Sequence, residues 1–125
     1  MTGYGPHLMI DLDDCDPKRL MSLRGCKTFL DTLPVKIDMH IIRDSYVMWY
    51  DPPGNERDAG VTGFVVIAES HISIHTYPKK KYAFVDIFSC RPFDIEKTLK
   101  ETVRFFGSKK PSHFVQLRGG SFPRN

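Results

Sequence analysis

The chain has 125 residues, 41% of them hydrophobic, and a formal net charge of +3 from 18 basic and 15 acidic side chains. That length and apolar content suit one globular domain over residues 1–125 with a modest core. The slight basic excess excludes the charge signature of a nucleic-acid or membrane-surface binder, and no apolar run approaches the length of a bilayer span. Residues 1–5 lack the apolar core of a secretory signal, so a cytoplasmic location is expected. Cys15, Cys26 and Cys90 are odd in number and widely spaced, which predicts free thiols and no metal site.

In chain order, residues 6–12 alternate as a strand. Asp16-Pro17 then joins an N-cap residue to proline at the first helical position. Leu20, Leu23, Cys26, Leu30 and Leu33 recur at helical spacing, predicting one helix that Gly25 weakens in the middle and Pro34 ends. Residues 35–42 and 46–50 read as extended, and Asp51-Pro52-Pro53-Gly54-Asn55 reads as a loop. Three further extended runs follow at 64–68, 71–77 and 82–89, with Lys79-Lys80-Lys81 in a solvated loop. Asp94 opens a second helix that turns Ile95, Leu99, Val103 and Phe106 inward and stops near Gly107, and 113–117 forms a last strand. These elements predict an α+β two-layer sandwich, a mainly antiparallel sheet with two helices on one face. The other face then needs a cover, and a homodimer interface is the expected one.

The densest chemistry lies in Glu69-Ser70-His71-Ile72-Ser73-Ile74-His75-Thr76, with Cys90 closing the next apolar run. A serine after an acid, a histidine five residues on and a later thiol can supply an acyl-accepting hydroxyl, a base and a proton donor. The same residues also suit a turn followed by an ordinary strand histidine. With residues 78–81 as a hairpin loop, Tyr77 falls opposite Tyr82 and Ser70 opposite Ser89, which sets Cys90 beside the Glu69-Ser70 bond. His75 lies roughly 17 Å from Ser70 along a straight strand at about 3.3 Å per residue, too far to act on it within one chain.

Glu69 to Thr76, with Ala83, Val85-Asp86-Ile87-Phe88 and Cys90, closely resembles the self-processing segment of the prokaryotic S-adenosylmethionine decarboxylases. Gly5, His7-Leu8, Cys15-Asp16 and Gly60-Val61-Thr62-Gly63 extend a weaker likeness over most of the chain. The resemblance implies self-cleavage between residues 69 and 70 into a 1–69 β chain and a 70–125 α chain. Ser70 Oγ would attack the Glu69 carbonyl, and elimination and hydrolysis would leave a pyruvoyl cofactor at position 70. The resemblance further implies His75 as the base for elimination and Thr62 as a hydroxyl that supports processing. Gly60 and Gly63 suit either a close backbone approach or plain turns.

In turnover, the resemblance implies that the position-70 ketone forms a Schiff base with the substrate amine and accepts the electron pair released with carbon dioxide. Cys90 would then return a proton to the former α-carbon, a task suited to a thiol near neutral pH. If His75 is needed at that site, a second subunit must supply it through an isologous interface.

The small-molecule substrate implied is S-adenosylmethionine, giving the decarboxylated aminopropyl donor of polyamine synthesis. One departure bears on it. The family's aromatic-proline-glutamate stands here as Tyr77-Pro78-Lys79, and an ammonium cannot accept ribose hydrogen bonds. Tyr77 offers an aromatic face, and Glu56 or Asp58 of the acidic loop would have to provide the acceptor. Cys90 is followed by Arg91-Pro92 where the family commonly has glycine. A pyruvoyl-dependent arginine or ornithine decarboxylase is the alternative within the family, and a sheet-based RNA-binding module is the alternative outside it, although no aromatic Gly-Phe signature supports that.

Overall fold

The computed structural model describes residues 3–123, so Met1 and Thr2 of the 1–5 stretch, expected to lack a signal core, lie outside the described residues. Six strands form one sheet: β1 (Gly5–Asp13), β2 (Tyr46–Tyr50), β3 (Gly60–Ile67), β4 (Ser70–Tyr77), β5 (Tyr82–Ser89) and β6 (Lys110–Arg118), in the order β2-β3-β4-β5-β1-β6. Every pairing is antiparallel. Period-two alternation sends Leu8, Ile10, Leu12, Val61, Val65, Ile72, Ile74, Val85 and Ile87 to one face, where all are fully buried. Each such side chain contributes about 1.5–3 kcal/mol when removed from water.

Three helices cover that face: α1 (Pro17–Met21), α2 (Leu23–Lys36) and α3 (Ile95–Phe106). The single first helix expected from spacing is divided at Ser22, which keeps an extended backbone (ψ 106°) and accepts the Gly25 N–H on its hydroxyl as the N-cap of α2. The break turns Leu23 out to solvent, while Leu20, Cys26, Leu30 and Leu33 stay in the core. Pro34 does not end α2. It sits within the last turn, buried beside Leu33, and the helix runs on to Lys36. Residues 35–42 are therefore not a strand: 35 and 36 are helical, and the rest is irregular apart from a single bridge from Ile41 to Ile67. Packing of Leu33, Ile37 and Met39 into the core outweighs the β-branched preference of Val35 and Ile37.

The helix expected after Asp94 forms as α3. Asp94 accepts the Lys97 N–H at its N-terminus, and Gly107 closes it in the left-handed region at φ 65°. Buried Thr98 and Thr102 return their hydroxyls to the carbonyls one turn back, and buried Thr76 donates to the Leu20 carbonyl while accepting the Val61 N–H. These hydroxyls thus lie in the core without unmet hydrogen bonds.

The opposite sheet face carries no helix. Tyr46, Tyr50, Phe64, Phe84 and Phe114 stand exposed there, Phe114 by 60%. Among the described residues no helix is long and apolar enough to cross a membrane.

Candidate active site

The β3–β4 connection is a two-residue turn, Ala68-Glu69, between paired Ile67 and Ser70. Two-residue hairpins ordinarily need a positive φ at a central residue, usually glycine or asparagine. Neither Ala68 nor Glu69 adopts one, and the positive angle falls instead on Ser70, at 154°. A non-glycine residue there costs of order 1–3 kcal/mol and persists only where its surroundings hold it.

The surroundings do hold it. The Glu69 carbonyl oxygen accepts the Cys90 backbone N–H at 2.8 Å, and the Ala68 N–H donates to the His40 carbonyl at 2.7 Å. The Glu69 carboxylate, 7% exposed, accepts from the His40 backbone N–H (3.0 Å), the His40 ring Nδ1 (2.7 Å) and the Arg91 guanidinium (3.2 Å). Burial opposes ionisation of Glu69, but the hydrogen bonds from the His40 ring and backbone outweigh it and hold the carboxyl below its usual range. Charge-assisted bonds of this kind contribute about 1.5–3 kcal/mol when buried and less where a donor is half exposed, as Arg91 is.

The hairpin register matches the expected one, with Tyr77 opposite Tyr82 and Ser70 opposite Ser89. Half-buried Ser70, the Glu69 carbonyl and half-buried Cys90 therefore meet at one end of β4. Cys15 and Cys26 are buried elsewhere, and burial pushes their thiols up to about 11 and about 12, leaving Cys90 as the accessible one.

The other expected residues gather at the far end of the strand. The Thr62 hydroxyl lies 3.2 Å from His75 Nδ1 across the β3–β4 ladder, and both line a depression of about 230 Å3 with Tyr50, Asp58 and Tyr77. β4 is paired without a break from Ser70 to Tyr77, so five extended residues keep His75 about 17 Å from Ser70 of the same chain. Gly60 and Gly63 lie in β3, not in turns. A Cβ on Gly60 would meet the Thr76 carbonyl oxygen at 1.9 Å, and one on Gly63 would meet the Val47 side chain at 2.8 Å, so the close-approach reading holds.

Tyr77 packs edge-on to Phe84, with centroids 5.9 Å apart. The Asp58 carboxylate is engaged by Lys80 and by Asn55 (2.6 Å), and hydrogen bonding from Lys80 holds its carboxyl below the usual range. Glu56 lies apart, in a separate depression with Trp49 and Lys79. A larger depression of about 650 Å3 lies among the helices, where Lys36 and Arg104 pair with Glu101, and it contains none of the expected site residues. His40 and Arg91 are the contacts that sequence reasoning missed. No local pattern marks a histidine 29 positions from its partner.

The S-adenosylmethionine decarboxylase family model matches residues 6–119. The chain belongs to that family. It is 34% identical over its whole length to an S-adenosylmethionine decarboxylase proenzyme of Thermodesulfovibrio yellowstonii, covering 88% of that protein. It is 36% identical to the proenzyme of Thermococcus gammatolerans over 93% of this chain and 76% of the relative. The crystal structure of the adenosylmethionine decarboxylase from Aquifex aeolicus superposes with a TM-score of 0.79 at 25% identity, covering 95% of this chain and 93% of that one.

Proposed function

We propose that this protein is a self-processing, pyruvoyl-dependent decarboxylase of S-adenosylmethionine, supplying the aminopropyl donor for polyamine synthesis. The observation that carries the proposal is the meeting of the Ser70 residue, the Glu69 carbonyl and Cys90 at a strained turn, in a chain of this family.

The precursor cuts itself between Glu69 and Ser70. Ser70 Oγ adds to the Glu69 carbonyl carbon, whose oxygen already accepts the Cys90 N–H, a donor placed where negative charge develops. The carbon–nitrogen bond breaks, leaving an ester and a free amine. Removal of the Ser70 α-proton then expels the main-chain carboxylate of Glu69, the new C-terminus of residues 1–69, and hydrolysis of the resulting dehydroalanine releases ammonia and leaves the ketone. The position fits such a cofactor, because the residue that becomes it opens a strand and adjoins a thiol. That ketone supplies the electron sink for loss of carbon dioxide. Cys90 is positioned to hold the proton that the former α-carbon needs, and the partner subunit's Tyr77, which lies beside His75 at the far end of β4, would present an aromatic face to the sulfonium nucleoside.

His75 and Thr62 enter from a second subunit. The unbroken strand keeps them from their own Ser70, while the open face they stand on carries Tyr46, Phe64 and Phe84 in exposed positions. A patch of that kind calls for a partner, and an isologous face-to-face homodimer would bring the far end of one β4 to the near end of the other. Lys80 engages Asp58, so a substrate group that used this carboxylate would share it with that pair.

A competition assay with S-adenosylmethionine, arginine and ornithine tests the substrate. The nucleoside should give the highest kcat/KM. Preference for either basic amino acid, unaltered by Lys79→Glu, would reject S-adenosylmethionine and leave the pyruvoyl chemistry in place.

A further inference from the structure

We infer that His40 and Arg91 are positioning residues for self-cleavage, which rests on the processing reaction proposed above: together they fix the Glu69 side chain and so hold the 69–70 peptide for attack. A glutamate in a turn ordinarily faces water. This one is buried, and both of its oxygens are bound, Oε1 by the His40 N–H and Oε2 by the His40 ring and Arg91. The same two residues, with Ile42 of the same segment, also tie down the surrounding backbone. The His40 carbonyl takes the Ala68 N–H at 2.7 Å, the Ile42 N–H reaches the Val66 carbonyl at 3.2 Å, and Arg91 donates to the Asp38 carbonyl. The irregular 38–42 segment thus brackets the acyl side of the scissile bond from one direction, and the residue after Cys90 brackets it from the other.

The clamp serves one step. In the acyl shift, Ser70 Oγ bonds to the Glu69 carbonyl carbon, the carbon–nitrogen bond breaks, and the hydroxyl proton ends on the freed Ser70 nitrogen. That attack requires the hydroxyl close to the carbonyl and aligned with it, so loosening Glu69 lowers the fraction of chains poised to react. The later elimination removes the Ser70 α-proton and discards the main-chain carboxylate of Glu69. It draws no comparable benefit from a fixed Glu69 side chain.

The test follows cleavage of freshly purified full-length chains by denaturing electrophoresis, with and without hydroxylamine, which cuts an ester but not a peptide. Arg91→Met and His40→Ala should cleave about tenfold more slowly than wild type, given the loss of alignment. Hydroxylamine should not restore their rate, because the ester has not formed. Glu69→Gln should also be slow, and adding Arg91→Met to it should cost little more, since both act on one contact. Arg91→Lys, which keeps a charged donor, should recover part of the rate. Cleavage of Arg91→Met and His40→Ala at the wild-type rate would overturn the inference, as would rescue by hydroxylamine or fully additive effects. Should Arg91→Met fail to fold, Glu69→Gln, which preserves shape, decides alone, and wild-type cleavage in it overturns the clamp. A wild-type chain that never cleaves would instead reject processing itself, an outcome distinct from normal cleavage in the variants.

Discussion

The backbone N–H of Cys90 donates to the carbonyl oxygen of Glu69 at 2.8 Å. One residue therefore presents two groups to the site: an amide aimed at the oxygen that would gain charge in the proposed cleavage, and a thiol for the proposed proton transfer. Substitution separates them, because Cys90→Ala removes the thiol and keeps the amide. Cleavage should continue within about tenfold of the wild-type rate, while turnover per processed chain should fall by about a hundredfold, the usual scale for a lost general acid. Time courses of cleavage and of carbon dioxide release measure the two. Unchanged turnover in a fully processed variant would remove Cys90 from the chemistry.

His75 and Ser70 occupy opposite ends of one unbroken strand. Chains carrying Ser70→Ala and chains carrying His75→Ala should each process poorly alone. Co-expressed, they should yield hybrid dimers in which one of two sites is whole, restoring up to about a quarter of the wild-type sites if pairing is random. The cleaved fraction of the His75→Ala chain measures this. Absence of any rescue in a mixture shown to contain hybrids would contradict the shared site.

Burial pushes the Cys15 and Cys26 thiols up to about 11 and about 12, whereas Cys90 is half exposed. Alkylation of the native protein near pH 8 should accordingly modify Cys90 and spare the other two, since the thiolate is the reactive form. Peptide mapping reads the sites. Equal labelling of Cys26 would contradict the packing of α2 against the sheet.

Much of this arrangement was legible in the sequence because it follows from local rules. The Pro78 loop fixed the register of β4 and β5, and strand rise then dictated that His75 and Ser70 are apart. Asp94 and Gly107 marked both ends of α3. What escaped notice depends on contacts distant in sequence. Ser22 divides α1 from α2 through its own capping bond, and Val35 and Ile37 look extended until Leu33, Pro34 and Met39 are seen buried. The 38–42 segment, read as part of a strand, instead spends its polar backbone on Val66, Ala68 and Glu69. Arg91 acquires a partner only once the Glu69 turn is built.

The Glu69 carboxyl is held below its usual range, so its contribution to stability is present above the ordinary glutamate range and is lost as pH falls through the lower folded-state value. In a Ser70→Ala background, which prevents cleavage, urea unfolding at pH 7 should show Glu69→Gln less stable than its parent by about 1–2 kcal/mol, the scale of charged hydrogen bonds to a buried carboxylate reduced because the His40 and Arg91 side chains are exposed to solvent. The difference should shrink toward zero below about pH 4. A gap that widens on acidification would contradict the ionised, hydrogen-bonded carboxylate.

Intact mass of the purified wild-type chain beside Ser70→Ala tests the self-processing enzyme most directly. Two polypeptides are predicted, 1–69 ending in a free carboxylate and 70–125 lighter by one ammonia than simple hydrolysis would leave it, with Ser70→Ala remaining a single intact chain. A wild-type chain that stays whole after prolonged incubation, or a 70–125 fragment beginning with serine, would contradict it.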